Sequence, residues 1–206
     1  MKTKSQKSTT HYLLLLDRSG SMASCWQSTM ESLEGQLISI KKLAEQHPDL
    51  PIRVTVSFFN TTLKPLIKQA PAMELLPISF DSIDPEGGTA LLDALGTSLN
   101  EIDDQMEDGD DAVAVILTDG EENASRMYTH EYVGGLIKHL KSTERWKFKM
   151  LGADFDSFSS IGSKINLTIS ENLFFKKSAM KETMDAEMAS FSRLMADKQI
   201  KLDEDF

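Results

Sequence analysis

The chain has 206 residues, enough for one domain with a sizeable core, and its 40% hydrophobic and 26% charged residues are those of a soluble globular protein, not a disordered or fibrous one. Thirty-two acidic against 22 basic residues give a formal net charge of −10, which repels phosphate backbones and anionic membranes, so neither nucleic acid nor a membrane is an expected partner. Cys25 is alone, the apolar run Leu13 to Leu16 is too short for a signal sequence, and no run approaches the roughly 20 apolar residues of a membrane span, so the expected compartment is the cytoplasm.

Residues 1–10 are polar and predict a mobile terminus, residues 11–198 the folded domain, and residues 199–206 an acidic tail. His11 to Asp17 is a short, nearly continuous apolar run of the kind buried on both faces of a parallel sheet. Met30, Leu33, Leu37, Ile40 and Leu43 recur at helical spacing ahead of Pro48, which predicts a helix over Ser24 to Gln46. Pro51 to Asn60 and Thr62 to Lys68 are β-rich runs meeting at Asn60-Thr61. They predict a hairpin whose second strand, carrying Pro65, is an antiparallel edge. Helices are expected over Thr89 to Met106, Glu131 to Arg145, Asp156 to Ile165 and Ser178 to Lys198, and strands over Ala112 to Thr118, Trp146 to Leu151 and Asn172 to Lys176. Strands alternating with helices predict an α/β fold. It is a doubly wound, Rossmann-like, mostly parallel six-stranded sheet with one antiparallel edge strand and helices on both faces.

Ligands of open α/β sheets bind at the carboxyl ends of strands, where the winding reverses. The first predicted strand closes with Asp17-Arg18-Ser19-Gly20-Ser21, a carboxylate and two hydroxyls on one turn. The strand from Ala112 closes with Thr118-Asp119-Gly120, and Gly87-Gly88-Thr89 supplies a further hydroxyl ahead of a helix. Asp17, Ser19, Ser21, Thr89 and Asp119 make an all-oxygen set suited to a hard cation, Mg²⁺ first, with Mn²⁺ or Ca²⁺ as alternatives.

These segments resemble the metal-ion-dependent adhesion site of the von Willebrand factor A family: Asp-x-Ser-x-Ser, a distant Thr and a distant Asp, all five filled here. Residues 87–94, residues 117–123 and Leu-Gly-Ala-Asp at 151–154 are similar to those of prokaryotic intracellular members, with Asp154 where Asn is more usual. The resemblance covers residues 11–198. It implies that Ser19, Ser21 and Thr89 bind the ion directly or nearly so, and that Asp17 and Asp119 hold it directly or through water. It further implies a non-enzymatic module that captures an Asp or Glu carboxylate of a protein partner, as an adaptor or assembly factor in a prokaryotic or phage-infected cell.

Plainer readings stand beside these. Asp17, Ser19 and Ser21 are also the residues of a helix-capping turn, and Thr89 those of an ordinary N-cap. Glu121 and Glu122 could serve as a general base, as a Mg²⁺-dependent phosphoester hydrolase would require, but two carboxylates after a strand are more often solvated. Arg18 is expected to face solvent, and the run Asp103 to Asp111 fails calcium-loop spacing and reads as a solvated face. Met180, Met184, Met188 and Met195 form with Phe191 a helical stripe for packing. A third functional reading is a self-associating structural subunit, with an acid such as Glu204 closing the site of another copy.

Overall fold

The apolar run at the start of the domain forms β1 (Thr10–Asp17), and all eight of its positions are buried. Its neighbours explain why. In the computed structural model, which describes residues 8–78, 83–119, 122–152, 161–168, 172–174 and 180–204, β1 pairs in parallel with β2 (Ile52–Phe59) on one side and β4 (Asp111–Thr118) on the other. The strand order is β3-β2-β1-β4-β5-β6, with β3 at Leu63–Pro71, β5 at Trp146–Gly152 and β6 at Asn172–Phe174. Strands β1, β2, β4, β5 and β6 are mutually parallel, and β3 is an antiparallel edge.

Alternation along β1 divides the core into two layers. Tyr12, Leu14 and Leu16 pack with α1 (Trp26–Gln46) and α4 (Met180–Glu204), while Leu13 and Leu15 face α2 (Leu91–Asp103) and α3 (His130–Ser142). The stripe of α4 is buried as its spacing predicts, with Met184, Met188, Phe191 and Met195 in the first layer and Phe191 against the Tyr12 ring at 4.5 Å. Among the described residues no helix is long and apolar enough to cross a membrane.

Several boundaries differ from expectation for local reasons. Helix α1 begins at Trp26, because Gly20–Cys25 forms a 3₁₀ turn. Helix α3 starts at His130, where Thr129 caps it by accepting the Tyr132 N–H at 3.2 Å, and stops before Glu144, whose φ of 59° is left-handed. Strand β3 continues to Pro71 through a register irregularity and a left-handed Gln69. Helix α4 runs to Glu204, past the expected helix end at Lys198. Leu202 packs on the core, Gln199 faces His47 at 3.4 Å, and Lys198 bonds the Thr10 hydroxyl at 2.7 Å and the Asp111 carboxylate at 2.5 Å. The start of the predicted helix at Asp156, the end of the last strand and the residues Ala153 and Asp154 lie outside the described residues.

The acidic run before β4 is not uniformly solvated. Asp110 is 6% exposed and accepts from the Thr9 N–H at 2.7 Å, the Glu107 N–H at 2.9 Å and His11 Nε2 at 3.3 Å, which clamps the start of β1 to the turn before β4.

Candidate metal centre

β1 and β4 run in parallel register, Leu16 beside Leu117, so Asp17 and Thr118 end the two strands together and Asp119 follows. This is where the winding reverses. The Thr118 hydroxyl donates to Asp17 Oδ2 at 2.6 Å, and the Ser19 N–H donates to Asp17 Oδ1 at 2.7 Å. Asp17 is fully buried. Burial raises its carboxyl from 3.8 to about 6, the Thr118 and Ser19 hydrogen bonds pull against that rise, and the charge of Asp119 adds to it. Asp119 is itself only 8% exposed, so two buried acids share one strand-end corner.

The hydroxyls follow. Ser19 is buried and Ser21 exposed, with their Oγ atoms 3.1 Å apart. Ser19 stands at the N-cap of the 3₁₀ turn without making a side-chain cap bond, and the N-cap of α1 is Cys25. Thr89 is 1% exposed and does not cap α2, whose N-cap is Ala90; its hydroxyl makes no hydrogen bond among the described residues. The capping readings of these residues therefore do not hold.

The loop before α2 is drawn onto the metal loop by backbone contacts. The Gly20 N–H donates to Gly87 O at 3.1 Å and the Glu86 N–H to Arg18 O at 2.8 Å. Asn60, at the end of β2, holds the same loop by donating to Glu86 O at 3.0 Å and accepting from the Ala90 N–H at 2.7 Å. Gly87 has a left-handed φ of 75°, and a Cβ on Gly88 would stand 2.7 Å from Asn123 Oδ1. That oxygen accepts the Thr89 N–H at 2.9 Å while the Asn123 N–H donates to Thr89 O at 3.0 Å, so the Thr89 backbone is gripped from both sides. Arg18 does not face solvent: its side chain is 14% exposed and donates to Glu86 at 3.2 Å and to Asp84 O at 3.1 Å.

Glu122 is not a solvated carboxylate either. It accepts the Leu92 N–H at the start of α2 at 2.9 Å, the Ala124 and Ser125 N–H groups at 3.2 and 2.9 Å, and the Ser125 hydroxyl at 2.8 Å. In return Asp93, in the first turn of α2, accepts the N–H groups of Arg126, Met127 and Tyr128 at 2.8, 2.9 and 2.9 Å. Asn60, Asp93 and Asn123 are positioning residues that the sequence pattern did not single out. Asp93 and Asn123 lie inside the segments that carry the resemblance, and a polar residue in the first turn of a helix is the signal that points to Asp93. Glu121 lies outside the described residues.

Among the described residues no three His, Cys, Asp or Glu side chains cluster as metal ligands. Two carboxylates beside three hydroxyls fit a hard divalent cation: two buried acids share the corner, and among the described residues the Thr89 hydroxyl makes no hydrogen bond.

No family model matches this sequence, and no curated protein matches it. Solved structures do match in fold. A pilus adhesin, SpaC from Lactobacillus rhamnosus GG, superposes with a TM-score of 0.66 at 15% identity, over 91% of this chain and 30% of its own. A von Willebrand factor type A protein from Catenulispora acidiphila gives 0.58 at 16% identity, over 88% of this chain and 42% of its own. The manganese-loaded TRAP protein of Plasmodium vivax gives 0.56 at 16% identity, over 85% and 71%. The chain thus spans less than half the length of the first two. The fold is von Willebrand factor A-like, an α/β architecture with a mostly parallel sheet.

Proposed function

We propose that the chain is a metal-dependent protein-binding module in which Asp17, Ser19, Ser21, Thr89 and Asp119 hold one Mg²⁺, with Mn²⁺ or Ca²⁺ as substitutes. The observation that carries it is the Asp17 corner: a fully buried acid beside Asp119, flanked by hydroxyls that no helix cap uses. When bound, the ion supplies an electrophilic position that takes a carboxylate oxygen of a partner's Asp or Glu, since neutral hydroxyl ligands leave its charge poorly compensated. Thr118 and the Ser19 N–H orient Asp17, Asn123 and Asn60 fix the Thr89 loop, and the Glu122–Asp93 exchange fixes the loop after β4. The manganese in the TRAP relative and the adhesin character of SpaC support the reading by likeness of fold.

The module is non-enzymatic in this proposal and acts inside the cell as an adaptor or assembly factor. Glu122, a carboxylate that a hydrolase could have used as base, has both oxygens engaged in holding backbone. Titration calorimetry with Mg²⁺ and Mn²⁺ on wild type and Asp119→Ala tests the site. One ion per chain is expected in the wild type, with loss of at least tenfold in affinity in the variant; equal binding in both proteins would remove the assignment.

A further inference from the structure

Glu187 lies on α4 and is 2% exposed, within the apolar seam that Met184, Met188 and Phe191 make with α1 and β1. Its neighbours come from three elements. From β1, the fully buried Tyr12 hydroxyl donates to Glu187 Oε2 at 2.5 Å; from α1, Gln36 Nε2 donates to the same oxygen at 3.2 Å; from β5, Lys149 attracts the carboxylate electrostatically. Gln36 is 3% exposed, and its Oε1 is buried with no hydrogen-bond partner among the described residues.

These contacts suit the two protonation states of Glu187 unequally. As a neutral acid, Glu187 accepts from Tyr12 on one oxygen, and its own proton has an acceptor available, because a half-turn of the Gln36 amide brings Oε1 to the position Nε2 holds. As an anion it keeps two neutral donors and the pull of Lys149, inside a seam otherwise built of Met, Phe and Leu. Burial accordingly raises the carboxyl from 4.5 to about 7, with the Tyr12 bond and Lys149 opposing the rise. Tyr12 stays a donor throughout, since burial and then Glu187 hold its hydroxyl well above the ordinary tyrosine value.

We infer that α4 is a proton-linked clamp: Glu187 docks as the neutral acid on Tyr12 and Gln36, and its ionisation loosens α4 from α1 and β1 while the sheet stays folded. The helix is suited to opening alone. One face carries all its buried side chains, whereas Lys181, Glu182, Asp185, Ala189 and Ser190 are exposed. Elements attached through one face open sub-globally at lower free energy than the central strands. A folded-state carboxyl raised above its unfolded value contributes docking that is fully present below the unfolded pKa and is lost as pH rises through the folded one. The window is therefore pH 4.5 to 7. Linkage over that shift raises the opening constant of α4 about thirtyfold between pH 5 and pH 7, levelling off above roughly pH 8.

Amide hydrogen exchange on the full chain, corrected for intrinsic rates and followed from pH 5 to pH 8.5, tests this on wild type and Glu187→Gln. The wild-type α4 is expected to open about thirtyfold more at pH 7 than at pH 5 relative to β1 and β4, and the variant less than about threefold. His47, which faces Gln199 on α4, and Asp17 are present in both proteins, so the difference reads Glu187 alone. Flat α4 protection in the wild type, a rise that persists in Glu187→Gln, or β1 opening in parallel with α4 would each overturn the clamp. Should Glu187→Gln not fold, carbon-detected NMR titration of the Glu187 carboxyl in the wild type decides: a midpoint near 7 supports the clamp and one near 4.5 ends it.

Discussion

The Thr118 hydroxyl reaches Asp17 Oδ2 at 2.6 Å, joining the carboxyl ends of β1 and β4 at the point where the sheet reverses its winding. That bond and the Ser19 N–H orient Asp17, but they do not offset its burial beside Asp119, so the acid rises from 3.8 to about 6. The sign follows directly. A raised folded-state pKa means stability that is present below 3.8 and lost as pH rises through 6, amounting to about 2–3 kcal/mol at full ionisation. Metal-free protein should therefore lose stability across that window, and saturating Mg²⁺ should restore it at pH 7.5. Asp17→Asn should remove both the loss attributable to this residue and the rescue by Mg²⁺, read as the difference between variant and wild type in urea unfolding with and without chelator. A variant that Mg²⁺ still stabilises as strongly as wild type would take Asp17 out of the site.

Gly96 of α2 is where Tyr128 seats: a Cβ there would stand 2.5 Å from the Tyr128 ring. Gly96→Ala should destabilise by about 1–3 kcal/mol through overpacking, despite better helix propensity, and loosen the loop that carries Asn123. Gly135 of α3 has nothing within 4 Å of its added Cβ, so Gly135→Ala should be neutral or stabilising by up to about 1 kcal/mol. Paired urea melts check the contrast, and equal effects at the two positions would refute it.

Asp93 accepts three consecutive backbone N–H groups from the loop after β4. Asp93→Ala leaves those donors without it and should lower stability by about 1–3 kcal/mol. It should also weaken Mg²⁺ binding severalfold without removing a ligand, because the loop holding Asn123 on Thr89 is released. Calorimetry with the variant tests this; unchanged metal affinity would show that the loop does not position the Thr89 hydroxyl.

The apolar run of β1 and the strand-helix alternation made the parallel sheet, its antiparallel edge at β3 and the two helical layers legible in the sequence, since burial on both faces leaves a continuous hydrophobic signature. Spacing alone puts Asp17 at the end of β1 and Asp119 just after β4. What spacing could not supply were the groups that act at long range in the chain. Glu122 and Asp93 exchange bonds across about 30 residues, so Glu122 reads locally as a solvated acid, and Glu187 meets Tyr12 across 175, a pairing no local pattern carries. Arg18 and Asp110 read as solvated for the same reason, because their partners lie in other loops. The end of α4 is hidden in the sequence because Ile200 and Leu202 lie among charges, yet the helix runs to Glu204 with Leu202 packed on the core.

A module without chemistry of its own should show no turnover on generic phosphoesters or nucleoside triphosphates with Mg²⁺ or Mn²⁺. Steady-state assays of wild type against Asp17→Ala measure this, and turnover that the substitution abolishes would establish a metal-dependent hydrolase instead.

Carboxylate capture separates metal binding from partner binding at one residue, Ser19. Replacing its neutral hydroxyl with a carboxylate in Ser19→Asp adds a negative ligand, which keeps or strengthens metal affinity while lowering the attraction of the site for an incoming anion. The decisive measurement is the affinity of a partner, isolated by metal-dependent pull-down, for wild type and Ser19→Asp under saturating Mg²⁺ and for wild type in chelator, with folding verified by circular dichroism. The predicted result is loss of partner binding in chelator and at least a tenfold loss in metal-loaded Ser19→Asp. Partner affinity that is unchanged in either condition would contradict carboxylate capture and leave the ion as a structural tie between the loops.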